Sequence, residues 1–132
     1  MSDATLSPEE VALLEEPVLA HVATTMADGS PQVTPVWIDT DGVALLFNTA
    51  KGRVKHRDLV RDPRVAISVV DRQNDYRTCV VRGRAELIEA GADAHIDKLA
   101  KKYLNADTYP FRKPTEERII VRVIPESIIR MA

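Results

Sequence analysis

Short apolar runs separated by turn residues dominate the chain, and their length predicts strands. Runs of this kind bounded by Gly, Pro, Asp or Ser are typical of an antiparallel sheet. The predicted strands cover residues 18–25, 32–39, 43–48, 65–70, 78–89 and 118–124, and 127–131 continues the last one after a break at Pro125. Residues 27–30 and Asp41-Gly42 predict hairpin turns, with Val43 to Asn48 pairing back onto the preceding strand. Gly83 predicts a bend or bulge.

Two segments have clear helical patterns. Ser7 followed by Pro8 predicts a capped helix that runs to about residue 15. Residues 91–104 form an amphipathic helix, because one set of apolar residues recurs at helical spacing: Ile96, Leu99, Ala100, Tyr103 and Leu104. Adjacent strands with hairpin turns, interrupted by helices, predict a mainly-β antiparallel barrel.

Composition is that of an ordinary globular protein, with 45% hydrophobic and 29% charged residues. The 132 residues fit a single domain, residues 1–132. A net charge of −2 argues against general nucleic-acid binding. The N-terminus has no signal-type pattern and no run reaches transmembrane length, so a cytoplasmic protein without membrane contact is expected. Cys79, the single cysteine, lies in an apolar run and is predicted to be a core thiol.

The most informative segment follows the strand 43–48. Thr49 is the candidate N-cap of a helix that ends at Asp62-Pro63, and four cations crowd its first turns: Lys51, Arg53, Lys55 and Arg57. Cations at a helix N-terminus oppose the helix dipole, so their presence there favours a site for an anion, most simply a phosphate. The alternative is a solvated basic helix face.

The strand 32–39 has one polar face near its start. Gln32 and Thr34 alternate with Val33 and Pro35, so an amide and a hydroxyl point to the same side. Such groups suit a flat heterocyclic ring, which needs a few polar contacts in an apolar slot. A solvated sheet face is the alternative.

The histidines do not form a metal site at any recognisable ligand spacing: His21, His56 and His95. His21 is expected in the core or in an interface. Trp37 is expected in the core or a dimer interface, with a substrate wall less favoured, and Tyr109 and Phe111 either cover an apolar substrate opening or pack structurally. No nucleophile–base or paired-carboxylate pattern is present, which fits chemistry carried by a cofactor.

These segments resemble the pyridoxamine 5′-phosphate oxidase-like proteins, the FMN-binding split-barrel superfamily, and within it the actinobacterial branch that uses the deazaflavin coenzyme F420. The resemblance extends from about residue 7 to residue 124. It rests on the order and spacing of these pieces: Asp28-Gly29-Ser30-Pro31-Gln32-Val33-Thr34-Pro35-Val36-Trp37, Asn48-Thr49-Ala50-Lys51-Gly52-Arg53-Val54-Lys55, Arg61-Asp62-Pro63-Arg64-Val65, Tyr76-Arg77, Val81-Arg82-Gly83-Arg84-Ala85, and Lys101-Lys102-Tyr103-Leu104 with Tyr109-Pro110-Phe111.

The resemblance implies a six- to seven-stranded split β-barrel that works as a homodimer, with two cofactor sites at the subunit interface. It places the cofactor phosphate on Arg53 and Lys55, with Lys51 nearby. It places the tricyclic ring against two segments: Gln32, Val33, Thr34, Pro35 and Val36, and Asn48, Thr49 and Ala50. The partner subunit is expected to supply the loop containing Asn74, Tyr76 and Arg77.

The implied function is hydride transfer between coenzyme F420 and a small conjugated substrate, without a catalytic side chain. An FMN-dependent oxidoreductase on the same fold and a non-catalytic flavin or deazaflavin carrier are the alternatives. The chain lacks the additional C-terminal segment of the true pyridoxamine phosphate oxidases, so pyridoxal phosphate synthesis is not expected.

Overall fold

The structure is a computed structural model that describes residues 4–130. Most of the predicted elements are present, with bounds that differ by one or two residues. In chain order the elements are α1 (Pro8–Glu15), β1 (Leu19–Thr25), β2 (Pro31–Trp37), β3 (Asp39–Thr40), β4 (Leu45–Ala50), α2 (Val54–Arg61), β5 (Arg64–Val70), β6 (Thr78–Ile88), α3 (Ala92–Leu104) and β7 (Arg118–Ile129).

The strands of the described residues form one antiparallel sheet in the order β2-β1-β5-β6-β7-β4-β3. The two edge strands, β2 and β3, are consecutive in the chain and only Ile38 separates them. One residue cannot span the width of a flat sheet, so the sheet curls until its edges meet. The predicted mainly-β split barrel of six to seven strands is therefore confirmed, with seven strands.

Ile38 lies where the chain passes from one edge of the sheet to the other, and α3 satisfies its backbone. The Ile38 N–H donates to the Tyr103 hydroxyl oxygen (2.8 Å), and the hydroxyl donates to the Val18 carbonyl. The Lys102 ammonium donates to the carbonyls of Ile38 (2.6 Å) and Leu14 (2.7 Å). Burial lowers the pKa of Lys102 to about 8. Two adjacent side chains of α3 thus link the crossing point to α1 and to Val18, the residue before β1.

The predicted hairpin around Asp41-Gly42 is only partly correct. Residues 32–39 were expected to pair with 43–48, but the strand divides at Ile38 and only Asp39 and Thr40 pair with β4. β2 pairs with β1 along its whole length, and β4 pairs along its whole length with β7. The pattern of apolar residues predicts a strand but not its neighbour, and here the neighbour is distant in sequence.

The prediction of Thr49 as a helix N-cap is wrong. Thr49 and Ala50 continue β4, because they pair with Ile119 and Arg118 of β7. The N-cap residue of α2 is Arg53, and the helix ends at Arg61 with Asp62 as its C-cap residue, which agrees with the predicted end at Asp62-Pro63. Lys51 and Arg53 therefore precede the helix, and only Lys55 and Arg57 lie within its first turns.

The predicted irregularity at Gly83 is confirmed, and it explains why Pro125 does not end the last strand. The register between β6 and β7 shifts between Arg82 and Gly83, where Gly83 faces Pro125. A Cβ atom on Gly83 would lie 2.1 Å from the Ile124 carbonyl oxygen, so only glycine fits. A bulge tolerates proline, and β7 continues to Ile129. Met131, the end of the predicted continuation, lies outside the described residues.

The core forms between the curled sheet and α1 and α2. It is built from alternate residues of the strands, such as Ala20, Val22 and Thr24 in β1. Cys79 is fully buried, as predicted, and burial raises the pKa of its thiol to about 12. His21 is exposed on the outer face of β1, so a core position is wrong for it and an interface position stays a prediction.

Replacing Tyr103 with phenylalanine tests the crossing at Ile38. Tyr103→Phe keeps the ring but leaves the Ile38 N–H and the Val18 carbonyl without their partner. We expect unfolding free energy to fall by about 1–3 kcal/mol, measured by urea denaturation. Tyr76→Phe is the matched control, since Tyr76 is 90% exposed. Equal stability of the two variants would contradict the role assigned to Tyr103.

Candidate functional site

A cavity of about 280 Å³ lies between β2 and β4, at the seam where the split barrel closes. α3, the loop after it and the first residue of β7 complete its wall. Six of the residues predicted to bind a cofactor line this cavity: Pro35, Val36, Asn48, Thr49, Arg53 and Lys55. The seam thus brings together the two segments that the sequence placed around a ring and a phosphate.

The cationic side of the cavity is formed by Lys55 and Arg53. Within residues 4–130 the Lys55 ammonium forms no ion pair, and it donates a hydrogen bond to the Thr34 hydroxyl (2.9 Å). Burial, and then the nearby Arg53 charge, lower the pKa of Lys55. Arg53 pairs with Glu116. A half-buried cation without a carboxylate partner is costly and suits an anionic ligand.

The other two cations of the basic segment take no part in the cavity wall. Lys51 pairs with Glu89 and Glu117, and these contacts raise its pKa. Arg57 is exposed on α2. The four alternating charges predicted from the sequence therefore separate into two at the cavity and two outside it.

Three buried side-chain polar atoms in the described part of the chain lack a hydrogen-bond partner, and all belong to this region. They are Gln32 Oε1, Thr49 Oγ1 and Arg118 Nη1. Thr49 and Arg118 line the cavity, and Gln32 precedes Thr34 by two residues on the same face of β2. An unpaired buried polar group costs about 1–3 kcal/mol, so a polar ligand would recover part of that cost.

An aromatic cluster forms the wall next to the polar groups. Trp37 stacks on Tyr103, with ring centroids 5.1 Å apart. Tyr109 meets Trp37 edge to face at 6.1 Å, and Phe111 meets Tyr109 at 5.7 Å. Trp37, Tyr109 and Phe111 all line the cavity. Tyr109 and Phe111 thus both line the cavity and pack on each other, so covering a substrate opening and structural packing remain the two alternatives for them, and Trp37 lies in the wall of the cavity.

A hydrogen-bonded chain behind the cavity was missed by sequence reasoning. The Arg118 Nε–H donates to Asn48 Oδ1 (2.8 Å), and Asn48 Nδ2 lies 3.2 Å from His95 Nδ1. His95 Nε2 lies 3.2 Å from Asp39 Oδ2, which also accepts from Lys98 (3.0 Å). These pairs are 47 to 70 residues apart in sequence, so no local pattern could reveal them.

The loop predicted to come from a partner subunit lies elsewhere on this chain. Asn74, Tyr76 and Arg77 border a separate surface depression next to α1, and Arg77 pairs with Glu16 and Asp71. Of the remaining predicted residues, Ala50 is buried in β4.

Val33 points away from this inner face of β2 and is 59% exposed. Its placement in the ring site is therefore not supported by this chain alone.

Two further observations concern the described residues as a whole. Within residues 4–130, no three His, Cys, Asp or Glu side chains come close enough together to hold a metal ion. No helix in the same range has the length and apolar character needed to cross a membrane.

The sequence and the fold identify the family. The family model for pyridoxamine 5′-phosphate oxidase matches residues 6–131. The chain therefore belongs to the pyridoxamine 5′-phosphate oxidase family, as the resemblance of its segments predicted. No curated protein matches the sequence.

Solved structures extend this result. An F420 reductase is 35% identical, with a TM-score of 0.79 over 91% of this chain and 95% of that chain. A conserved hypothetical protein of Mycobacterium tuberculosis is 22% identical (TM-score 0.72; 97% and 86% covered), and General Stress Protein 26 of Bacillus anthracis is 14% identical (TM-score 0.69; 93% and 96% covered). The last two similarities show the fold alone. The family name and the F420 reductase both denote oxidoreductases.

The role of the Lys55 charge in anion binding can be tested with sulfate, because the charge of sulfate does not change over the pH range used. Protonated Lys55 attracts the anion. Because the pKa of Lys55 is lowered, its ammonium loses the proton at a lower pH than an ordinary lysine does. We expect the sulfate-induced rise in thermal midpoint to shrink as the pH rises from about 7 to about 10. In Lys55→Arg the charge persists, so the rise should be nearly independent of pH. The same pH dependence in both proteins would rule out Lys55 as the anion-binding group.

Proposed function

We propose that this protein is an oxidoreductase that binds coenzyme F420 in the seam cavity and transfers a hydride between it and a small conjugated substrate. The observation that carries the proposal is Lys55, a half-buried cation without a carboxylate partner in the described residues, beside Arg53 at one end of a cavity with aromatic walls. A phosphate and a flat ring in one molecule would satisfy both features. The F420 reductase at 35% identity supports the choice of cofactor.

The residues present fit such a cofactor. Lys55 and Arg53 would hold the phosphate by charge-assisted hydrogen bonds. Gln32 Oε1 accepts and the Thr49 hydroxyl can donate, and both lack partners within residues 4–130, so they match a ring edge that carries N–H and carbonyl groups. Pro35, Val36 and Trp37 would supply the apolar surface against the ring.

The cofactor supplies the hydride chemistry, and the chain supplies binding, orientation and exclusion of water. Lys55 and Arg53 would hold the phosphate of the ligand. Thr34 keeps the Lys55 ammonium in place through its hydroxyl. The aromatic side chains of Tyr109 and Phe111, which line the cavity, would help to exclude water from it. Holding two reactants in this way is itself a large contribution to rate.

FMN is the second candidate, and the match to the pyridoxamine 5′-phosphate oxidase model favours it. The same phosphate cluster would serve either ring system. Purified protein that is yellow and carries FMN would favour this alternative. Fluorescence titration of the cofactor-free protein with both cofactors, followed by a screen of quinone and enone acceptors, separates the two possibilities and tests for turnover.

Arginine and lysine variants test the phosphate site. Arg53→Ala and Lys55→Ala should each weaken coenzyme F420 binding about tenfold or more, because each removes a charge-assisted hydrogen bond. Lys51→Ala is the matched control, since Lys51 is paired with Glu89 and Glu117 outside the cavity. The measurement is a binding titration, with thermal unfolding to verify the fold. Equal losses in all three variants would indicate a general charge effect and no specific site.

We further propose that the protein is a homodimer in which the partner completes each cofactor site. Large apolar side chains are exposed on the outer surface of the sheet: Leu19 (51%), Val33 (59%), Val70 (42%) and Ile129 (44%). A second copy would cover them. The cavity of about 280 Å³ is also small for a whole cofactor, since ligand sites usually measure about 300–1,000 Å³. Tyr76, which is 90% exposed, is the aromatic side chain that a partner would contribute.

Mixed dimers test this arrangement. If Arg53 comes from one subunit and Tyr76 from the other, Arg53→Ala and Tyr76→Ala homodimers each have two damaged sites, whereas their hybrid has one intact site. We therefore expect tight cofactor binding to reappear after the two variants are denatured together and refolded. Scattering should give a dimer at micromolar concentration, with an interface above roughly 2,000 Å² in total. A monomer, or no recovery on mixing, would contradict the proposal.

A further inference from the structure

We infer that Arg118 forms a binding site for a carbonyl or carboxylate oxygen in the wall of the seam cavity, and that Asn48, His95 and Asp39 position it. The inference deepens the proposed function and rests on it for the reaction, but the ligand chemistry follows from the side chains alone. Arg118 belongs neither to the predicted phosphate cluster nor to the predicted ring contacts.

Arg118 is a buried cation with unused hydrogen-bonding capacity. It is 9% exposed, its Nε–H donates to Asn48 Oδ1, and its guanidinium lies 5.3 Å from the centre of the Tyr109 ring. Its Nη1 makes no hydrogen bond within the described residues, although it lies 3.6 Å from Glu116 Oε1 in a long ion pair. Glu116 is also bound to Arg53. The guanidinium can therefore donate a hydrogen bond to one more acceptor oxygen.

Thr49 is a second residue of the cavity lining with an unused donor. It is 1% exposed, and its hydroxyl also lacks a partner within residues 4–130. The register pairs Thr49 with Ile119 and Ala50 with Arg118, so the side chains of Thr49 and Arg118 leave opposite faces of the sheet, and Arg118 alone carries the oxygen site. The positive charge of Arg118 favours an oxygen that is negative or becomes negative during reaction.

The orientation of Arg118 is fixed by a chain of donors and acceptors. Arginine only donates, so Asn48 must turn its Oδ1 towards Arg118 and its Nδ2 towards the Ala92 carbonyl (2.9 Å) and His95. His95 Nδ1 must then accept, which leaves its proton on Nε2. That proton is donated to Asp39. His95 and Asp39 are therefore positioning residues, because they hold the Asn48 amide in the only orientation that accepts from Arg118.

The apolar walls narrow the class of ligand. Trp37, Tyr109 and Phe111 suit a flat conjugated molecule, with the oxygen at its edge towards Arg118. In the proposed reaction a hydride from reduced coenzyme F420 would add to the β-carbon of a conjugated carbonyl compound and form a C–H bond there. The π pair of the C=C bond then shifts to form a double bond to the carbonyl carbon, and the C=O π pair moves to the oxygen. That oxygen then takes a proton from water and the enol returns to the ketone. Arg118 would stabilise the oxygen at the moment it carries charge.

Trp37 makes the ligand test direct, because it is the only tryptophan of the chain and lines the cavity. Benzoate, an aromatic carboxylate, should change Trp37 fluorescence in the cofactor-free protein, and benzyl alcohol is its neutral counterpart. Arg118→Gln should weaken benzoate binding about tenfold or more, with little effect on benzyl alcohol. Arg122→Gln on the same strand is the matched control, since Arg122 pairs with Asp41 and Glu86.

The positioning chain has its own readout. The ¹⁵N spectrum of His95 should show the tautomer protonated at Nε2, independently of any cofactor. His95→Leu should weaken benzoate binding, and His95→Gln should restore it, because a glutamine amide also offers one acceptor and one donor. Equal effects of leucine and glutamine, or the other tautomer, would overturn the positioning role. These variants also keep the test decisive if Arg118→Gln does not fold.

The source of the oxygen is decided by adding the cofactor. If benzoate displaces coenzyme F420, the oxygen belongs to the cofactor ring; if both bind together, it belongs to the acceptor. Both results support the oxygen site. Unchanged benzoate affinity in folded Arg118→Gln would overturn it. A failure of the proposed function would look different, because coenzyme F420 and FMN would then not bind although benzoate still did.

Discussion

The single-residue connection at Ile38 constrains the whole molecule. It joins the two edges of a seven-stranded sheet, so the sheet has to curl until those edges are neighbours. No ladder hydrogen bonds are available to Ile38 at the crossing, and Tyr103 and Lys102 of α3 bind its N–H and carbonyl instead. The position of α3, and with it one wall of the cavity, follows from this requirement. The contacts that close the barrel therefore also place one wall of the cavity.

The seam is also where polar groups remain incompletely satisfied. Elsewhere the described backbone and side chains are largely paired, through the ladder, the Ser7 capping box and ion pairs such as that of Arg122 with Asp41. At the seam, Lys55 has no counter-charge in residues 4–130, and Thr49 and Arg118 have unused donors. Such groups cost stability in the free protein and are typical of functional sites. Ligand binding should therefore contribute directly to the stability of the closed barrel.

The sequence predicts the local elements well because capping, turns and apolar spacing are local properties. Ser7-Pro8 at α1, the bulge at Gly83 and the end of α2 at Asp62 are all in the predicted places. It does not predict which strands pair. The sequence around Thr49 is typical of an N-cap, but Thr49 pairs with Ile119 of the distant strand β7 and therefore continues β4.

The site follows the same division. Arg53 and Lys55 are evident as alternating charges, and the polar face that carries Gln32 and Thr34 is visible from its period of two. Arg118 stands at the start of an ordinary apolar run, and its partner Asn48 is 70 residues away. His95 looks like one of several isolated histidines. Only tertiary pairing gives these two residues a role.

The position of β7 has a consequence for how the protein is made. β7 is the last strand in the chain, but in the sheet it lies between β6 and β4 and holds both. On the ribosome, the β1-β2 hairpin and the β5-β6 pair can form early, while β4 has only the two residues of β3 beside it. Its open edge is then a place where another nascent chain could pair. During synthesis, a pause in translation before residues 118–129 would leave β6 and β4 without the strand that lies between them in the sheet.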